Sequence, residues 1–309
     1  MGVLRRLGTE SSSFLETDHL VGRSTKASLQ LDNNYVSAQH ASIRWVGDGW
    51  EIKDLGSRNG TLIDDVPAKA GQAYRLSCGN RVSFGRIEQT WELVDDSPPQ
   101  VMVTPIDGGS GSLFVEKDLL ALPSQDDPRA TVFRASDGGW KLERDDGVIA
   151  LTNQQVFEAA GQTWRFSTPE QLSTTSTIDW PDHANTELRR LHLTFRVTLD
   201  EEHVEIVVRR GRETFNLGSR SHNYLLLLLA RHRLDEAGQS QPETACGWKY
   251  QDELTQELRI TPERLNIDIF RIRKQFAAIG VGDAAHVIER RPRTRQVRIG
   301  LISLSVENI

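Results

Sequence analysis

A chain of 309 residues with 38% hydrophobic and 26% charged residues has material for two or three packed domains. No apolar run approaches the ~18 residues that span a bilayer, and the start Met1-Gly-Val-Leu-Arg-Arg6 lacks the apolar core of a secretion signal, so a cytoplasmic location without a membrane partner is expected. Net charge is −6, yet residues 188–309 hold 20 Lys and Arg against 16 Asp and Glu, and Arg259–Arg298 holds ten against four, which assigns different partners to the two ends.

Residues 19–94 alternate short apolar stretches with Gly, Asn and Asp and show no helical period. The pattern predicts an all-β sandwich, with strands at His19–Val21, Ser42–Trp45, Trp50–Lys53, Tyr74–Leu76 and Thr90–Val94. Asn59-Gly60, between Glu51–Leu55 and Thr61–Ile63, reads as a hairpin turn, because both residues tolerate positive φ.

The loops carry Gly22-Arg23, then Ser37-Ala-Gln-His40, then Asn59-Gly60-Thr61. In this order and spacing they resemble the forkhead-associated (FHA) family over residues 15–95, and a phosphothreonine-binding domain over 1–96 is the implied reading. A phosphate dianion brings about −2 charge and three acceptor oxygens. Arg23 supplies a fork of charged donors and Ser37 a hydroxyl. Asn59 suits the peptide backbone beside the phosphothreonine, and Arg58 reads neighbouring side chains. Gly22, His40, Gly60 and Thr61 are structural by the resemblance, with His40 pinning the Ser37 loop. Ala38 stands where relatives often have a basic residue, a role that Lys26 could supplement.

Sliding the chain by 90 residues lays Gly49-Trp50 on Gly139-Trp140 and Ala70-Gly-Gln72 on Ala160-Gly-Gln162, with eight identities between 40–76 and 130–166. At the binding loops the match fails: Leu113, Asp127, Ala130 and Ile149 replace Arg23, Ser37, His40 and Asn59. Residues 98–168 therefore read as a degenerate FHA-like β module used for packing or spacing.

Residues 169–187 are a Ser/Thr-rich linker. It contains Thr175 with Ile178 three places on, a candidate phosphothreonine for the chain's own FHA domain, beside the plainer reading as linker alone. Over 188–309, Leu191–Leu199, Val204–Val208 and Glu213–Leu217 predict strands. A helix capped by Ser219 runs through Ala230 to near Gly238, and a second covers Tyr250–Leu258. A third opens at Thr261-Pro262, with Leu265, Ile269, Ile272 and Phe276 in one stripe. His286–Glu289 and Gln296–Ile299 flank a basic tip.

This order resembles the winged helix-turn-helix domain of the response-regulator output class. The resemblance implies that Arg264, Asn266 and Arg271 reach bases or phosphates of DNA, and that Arg273, Lys274, Arg293 and Arg295 contact phosphates. The fold class is thus multidomain β and α+β. The chain reads as a bacterial transcription regulator downstream of a Ser/Thr kinase, with a phosphothreonine-containing protein and DNA as partners. The alternative is a phosphopeptide-dependent adaptor whose winged helix binds protein. No Gly-rich phosphate loop with lysine, metal-ligand spacing or nucleophile–base pair is present, and Cys78 and Cys246 stand apart; no catalysis, metal or cofactor is expected.

Overall fold

The computed structural model describes residues 1–106, 111–169, 188–237, 242, 244–282, 284–301 and 303–309. Among these, no helix is long and apolar enough to cross a membrane. The chain forms two compact units. The first is Met1–Phe114 with Thr152–Val156 and the stretch from Arg165; the second takes Val115–Leu151, Phe157–Trp164 and the C-terminal residues.

Residues 3–95 of the first unit form two sheets. Val3–Arg6 pairs with Ser12–Phe14 and Thr90–Asp95, and Arg81–Phe84 and Thr61–Ile63 continue that sheet. In the other sheet, Asp18–Gly22 pairs with Ala41–Val46, then Gly49–Asp54, then Ala73–Leu76. Alternation turns Val21, Ala41, Ile43, Trp50, Ile52, Val82, Phe84 and Leu93 inward, all essentially without solvent exposure, as period-two side chains of a half-buried sheet require. Glu16 is buried as well. It accepts from Ser28 Oγ at 2.8 Å and Gln154 Nε2 at 3.2 Å and pairs with Arg165 at 3.5 Å, so residues far along the chain close this unit.

Asn59-Gly60 is not the expected hairpin turn. Gly49–Asp54 and Thr61–Ile63 lie in different sheets, and the loop carries the chain from one to the other. The two-residue turn is Asp64-Asp65, with φ of 47° and 66°, joining Thr61–Ile63 to Val66–Pro67. Aspartate tolerates the left-handed region better than most residues, and here the turn is also held from outside: Asp64 accepts from Arg81 N at 2.8 Å and Asn80 Nδ2 at 2.7 Å.

The expected second copy does not repeat the strand pairing of the first. In the first unit Gly49–Asp54 lies beside Ala73–Leu76, whereas its counterpart Trp140–Arg144 pairs with Gly147–Leu151 in the sheet Leu119–Ser124, Asp127–Arg134, Trp140–Arg144, Gly147–Leu151. Shared turn residues and apolar alternation fix hairpins, not the neighbours a hairpin finds.

The second unit holds Leu191–Val197, Val204–Arg210 and Glu213–Ser219 as consecutive antiparallel strands. Leu304–Asn308 adds in parallel to the first of them. Helix α1 (Asn223–Ala237) starts four residues after the proposed cap, because Ser219 ends a strand. Buried Asn223 donates to Val204 O and Gly218 O at 2.9 and 2.8 Å. Helix α2 spans Gln251–Leu258. Helix α3 (Pro262–Ala278) begins as its sequence predicts, with Thr261 Oγ1 accepting from Arg264 N and proline in the first turn. The strand predicted at His286–Glu289 is instead a 3-10 turn, Ala284–Val287, before Ile288–Arg291. That strand pairs with Gln296–Ile299, which Lys249–Tyr250 also joins.

Helix α3 is buried on two sides. Its predicted stripe enters the C-terminal core. A second row, Phe270, Arg273 and Ala277, is also buried; Phe270 and Ala277 join one apolar cluster with Leu119, Ala121 and Phe133 of the 119–151 sheet. The linker with Thr175 lies, except for Pro169, outside the described residues.

Candidate functional site

Three loops at one end of the β-sandwich bring Arg23, Ser37, Arg58 and Asn59 together. Arg23 N and Ser24 N donate to Ser37 O and Ala38 O at 2.9 and 3.1 Å, strapping the first loop to the second. Gly22 makes this possible: a Cβ there would lie 2.2 Å from Ala38 O, a distance only glycine avoids. The second and third loops meet where Ser37 Oγ accepts from Arg58 N at 3.0 Å and Asn59 Nδ2 donates to Tyr35 O at 2.8 Å.

His40 lies beneath them, fully buried. Its Nδ1 accepts from Ser37 N at 3.1 Å, so its Nε2 holds the proton and donates to Gly60 O at 3.1 Å. Burial is the largest influence on this imidazole and lowers its pKa, against the raising effects of Gly60 O and Asp54. The neutral ring is the form that both bonds need.

Asp54 is a residue of this site that the motif reading passed over. It is buried and accepts from Gly56 N, Ser57 N, Ser57 Oγ and Thr61 Oγ1 at 2.6–2.9 Å. Burial would raise its pKa, but the bonds from Ser57 and Thr61 outweigh it and hold the carboxyl below its ordinary value. The signal was in the sequence: Asp54-Leu-Gly-Ser57 is an Asx-type turn, and Thr61 adds a second hydroxyl.

The side chains of Arg23, Lys26, Arg58 and Asn59 are exposed, and none of the three cations has an ion-pair partner among the described residues. Exposed cations thus stand on the loops that hold a hydroxyl and an amide by main-chain bonds, an arrangement with the donors an anion needs.

Most of the C-terminal candidates are taken up by partners within the chain. Arg273 is 1% exposed; it grips Glu143 through two bonds of 2.8 and 3.1 Å and donates to Ile288 O at 2.6 Å, so the expectation of a phosphate contact is corrected. Burial would raise the Glu143 carboxyl, and Arg273 and Arg290 beside it hold it down. Asn266 Oδ1 is taken by Arg290 Nη2 at 2.7 Å, and Arg264 Nε by Asp268 at 3.0 Å. Lys274 reaches Gln125 at 2.8 Å and Glu116 at 3.6 Å, and Arg295 lies 3.5 Å from Asp252. Arg271 and Arg293 are exposed. Arg291 and Arg298 stack on Trp248, at 3.9 and 4.4 Å from the ring centre, a feature the sequence reading did not include.

Residues 19–85 match the FHA domain model, and this part of the chain is an FHA domain. The FHA domain-containing protein FhaB of Mycobacterium tuberculosis is 39% identical over 67 residues, which are 22% of this chain and 42% of that protein. The oxoglutarate dehydrogenase inhibitor of Corynebacterium jeikeium is 33% identical over 86 residues, 27% of this chain and 58% of the relative. The matched stretch therefore spans about two fifths to three fifths of these curated relatives. A structure from work on phosphothreonine-dependent FHA domain interactions aligns at 27% identity over 30% of this chain and 94% of its own, with a TM-score of 0.27.

Proposed function

We propose that the chain is a phosphothreonine-dependent adaptor: Arg23 and Ser37 take the phosphate, Asn59 the peptide backbone, Arg58 a neighbouring side chain, and a Ser/Thr kinase prepares the partner. The observation that carries this reading is the interlocked Arg23–Ser37–Asn59 loop set, with its cations exposed and without an ion pair among the described residues. Binding of matched phosphothreonine, phosphoserine and unphosphorylated peptides to the full chain, measured by calorimetry, tests it. The phosphothreonine form should bind tightest and the unphosphorylated form not at all, and Arg23→Ala should weaken capture about ten- to a hundredfold, the worth of one hydrogen bond to a charged group. Equal binding by the Arg23 variant would overturn the assignment.

A second reading, transcription regulation through DNA, rests on the exposed Arg271 and Arg293 and the cations around Trp248. The packing of the 119–151 sheet on α3 favours the adaptor, because a helix buried on two sides offers a groove little surface. The full chain should bind random duplex weakly. A steep loss of binding with salt, flattened by Arg293→Ala, would restore the DNA reading.

A further inference from the structure

Tyr35 and Arg86 were not singled out by the motif, yet the structure sets them against it. Tyr35 O is the acceptor that fixes Asn59. The same carbonyl is approached by Gly85, whose φ is +77° and where a Cβ would fall 2.3 Å away, and Gly85 N donates to Gly60 O at 3.0 Å. Only glycine permits that approach, and it delivers the next residue, Arg86, onto the site. The Arg86 guanidinium carbon lies 3.2 Å from the centre of the Tyr35 ring.

This stack fixes the position of a cation without neutralising it. Arg86 is exposed and has no ion pair among the described residues. A guanidinium lying over an aromatic face keeps its in-plane N–H groups free for a carboxylate. Ordering that side chain in advance also removes part of the entropy that makes exposed ion pairs weak.

We infer that Tyr35 and Arg86 form a specificity platform that selects phosphothreonine peptides carrying a second anionic side chain near the phosphate. The inference rests on the phosphothreonine reading above and adds the class of peptide. Phosphate charge alone does not call for it: Arg23, Lys26 and Arg58 already supply exposed cations on the loops that meet at Ser37.

The test is a set of phosphothreonine peptides with glutamate, glutamine or lysine placed in turn at each position flanking the phosphothreonine. Affinity for the full chain is read by fluorescence anisotropy. At one position or more, glutamate should bind about fivefold tighter than glutamine, the upper range for an exposed pair, and lysine should bind worst. Arg86→Gln should bring glutamate and glutamine peptides to equal affinity. Tyr35→Phe should keep the preference and Tyr35→Leu should reduce it, since the ring holds the cation. Phosphoserine in place of glutamate serves as a further arm: tighter binding than glutamate assigns the platform to doubly phosphorylated peptides, and equal or weaker binding to acidic ones. Phosphorylation-dependent capture without any acidic preference, or a preference that survives Arg86→Gln and vanishes in Arg58→Gln, overturns the platform alone. Capture that ignores phosphorylation overturns the reading beneath it as well.

Discussion

Asp54 and His19 are both buried polar groups of the FHA sandwich, and their surroundings resolve the cost of burial in opposite ways. Asp54 remains charged because four donors converge on it. Asp54→Ala leaves those donors without an acceptor, so thermal unfolding should show a loss of about 1–3 kcal/mol, and phosphopeptide affinity should fall because the Arg58–Asn59 loop loses its anchor. His19 stays neutral: burial lowers its pKa to about 4, although Glu16 raises it, and Arg165 lowers it further. Below its ordinary value near 6.5 the unfolded chain takes up a proton that the folded chain refuses. Stability from this source is therefore complete above pH 6.5 and is lost as pH falls towards 4, by up to about 3 kcal/mol. Melting curves across that window should show the slope, and His19→Gln should flatten it.

At the scale of elements, helix α3 departs furthest from its sequence pattern. Leu265, Ile269, Ile272 and Phe276 made one buried stripe legible, and the Thr261-Pro262 start was legible too. The second face was not, because Arg273 read as a phosphate contact. Periodicity shows which face a helix buries when one face is buried; it cannot show that a sheet 130 residues earlier covers another. The same limit applies to Asn59-Gly60: the dipeptide signals a sharp turn, while the choice between hairpin and crossover depends on strands it does not contain. The loops of Arg23, Ser37 and Asn59 were legible as a set because each carries its signal in two to four adjacent residues. Breaking the Glu143–Arg273 grip by Glu143→Gln leaves an arginine buried beside no carboxylate of that residue, and chemical denaturation should show a loss of about 3–5 kcal/mol. Replacing both by Leu and Met should recover part of it, since Arg290 loses Glu143 but keeps Asn266 and Asp145 beside it. Because Glu143 is held below its ordinary value, the pair stabilises fully above the usual glutamate range and is lost as pH falls through the lowered value, which the double variant should not reproduce.

Over the whole molecule, charge changes its meaning once packing is known. The basic excess of residues 188–309 suggested a polyanion, but the second unit also contains 115–151, with eight Asp and Glu against five Lys and Arg. Several of these carboxylates already face the cations of α3 and of Ile288–Arg291. A fragment beginning at Leu188 exposes the Phe270–Ala277 row, so it should bind a hydrophobic dye strongly; one beginning at Val115 retains the cover and should bind much less. The grip between Glu143 and Arg273 also has a bearing on inheritance. A descendant that loses either residue alone keeps a stranded buried charge, whereas one that loses both together can fill the space with apolar side chains. Across lineages these two positions, 130 residues apart, should therefore vary jointly, while exposed Arg271 and Arg293 drift independently of them.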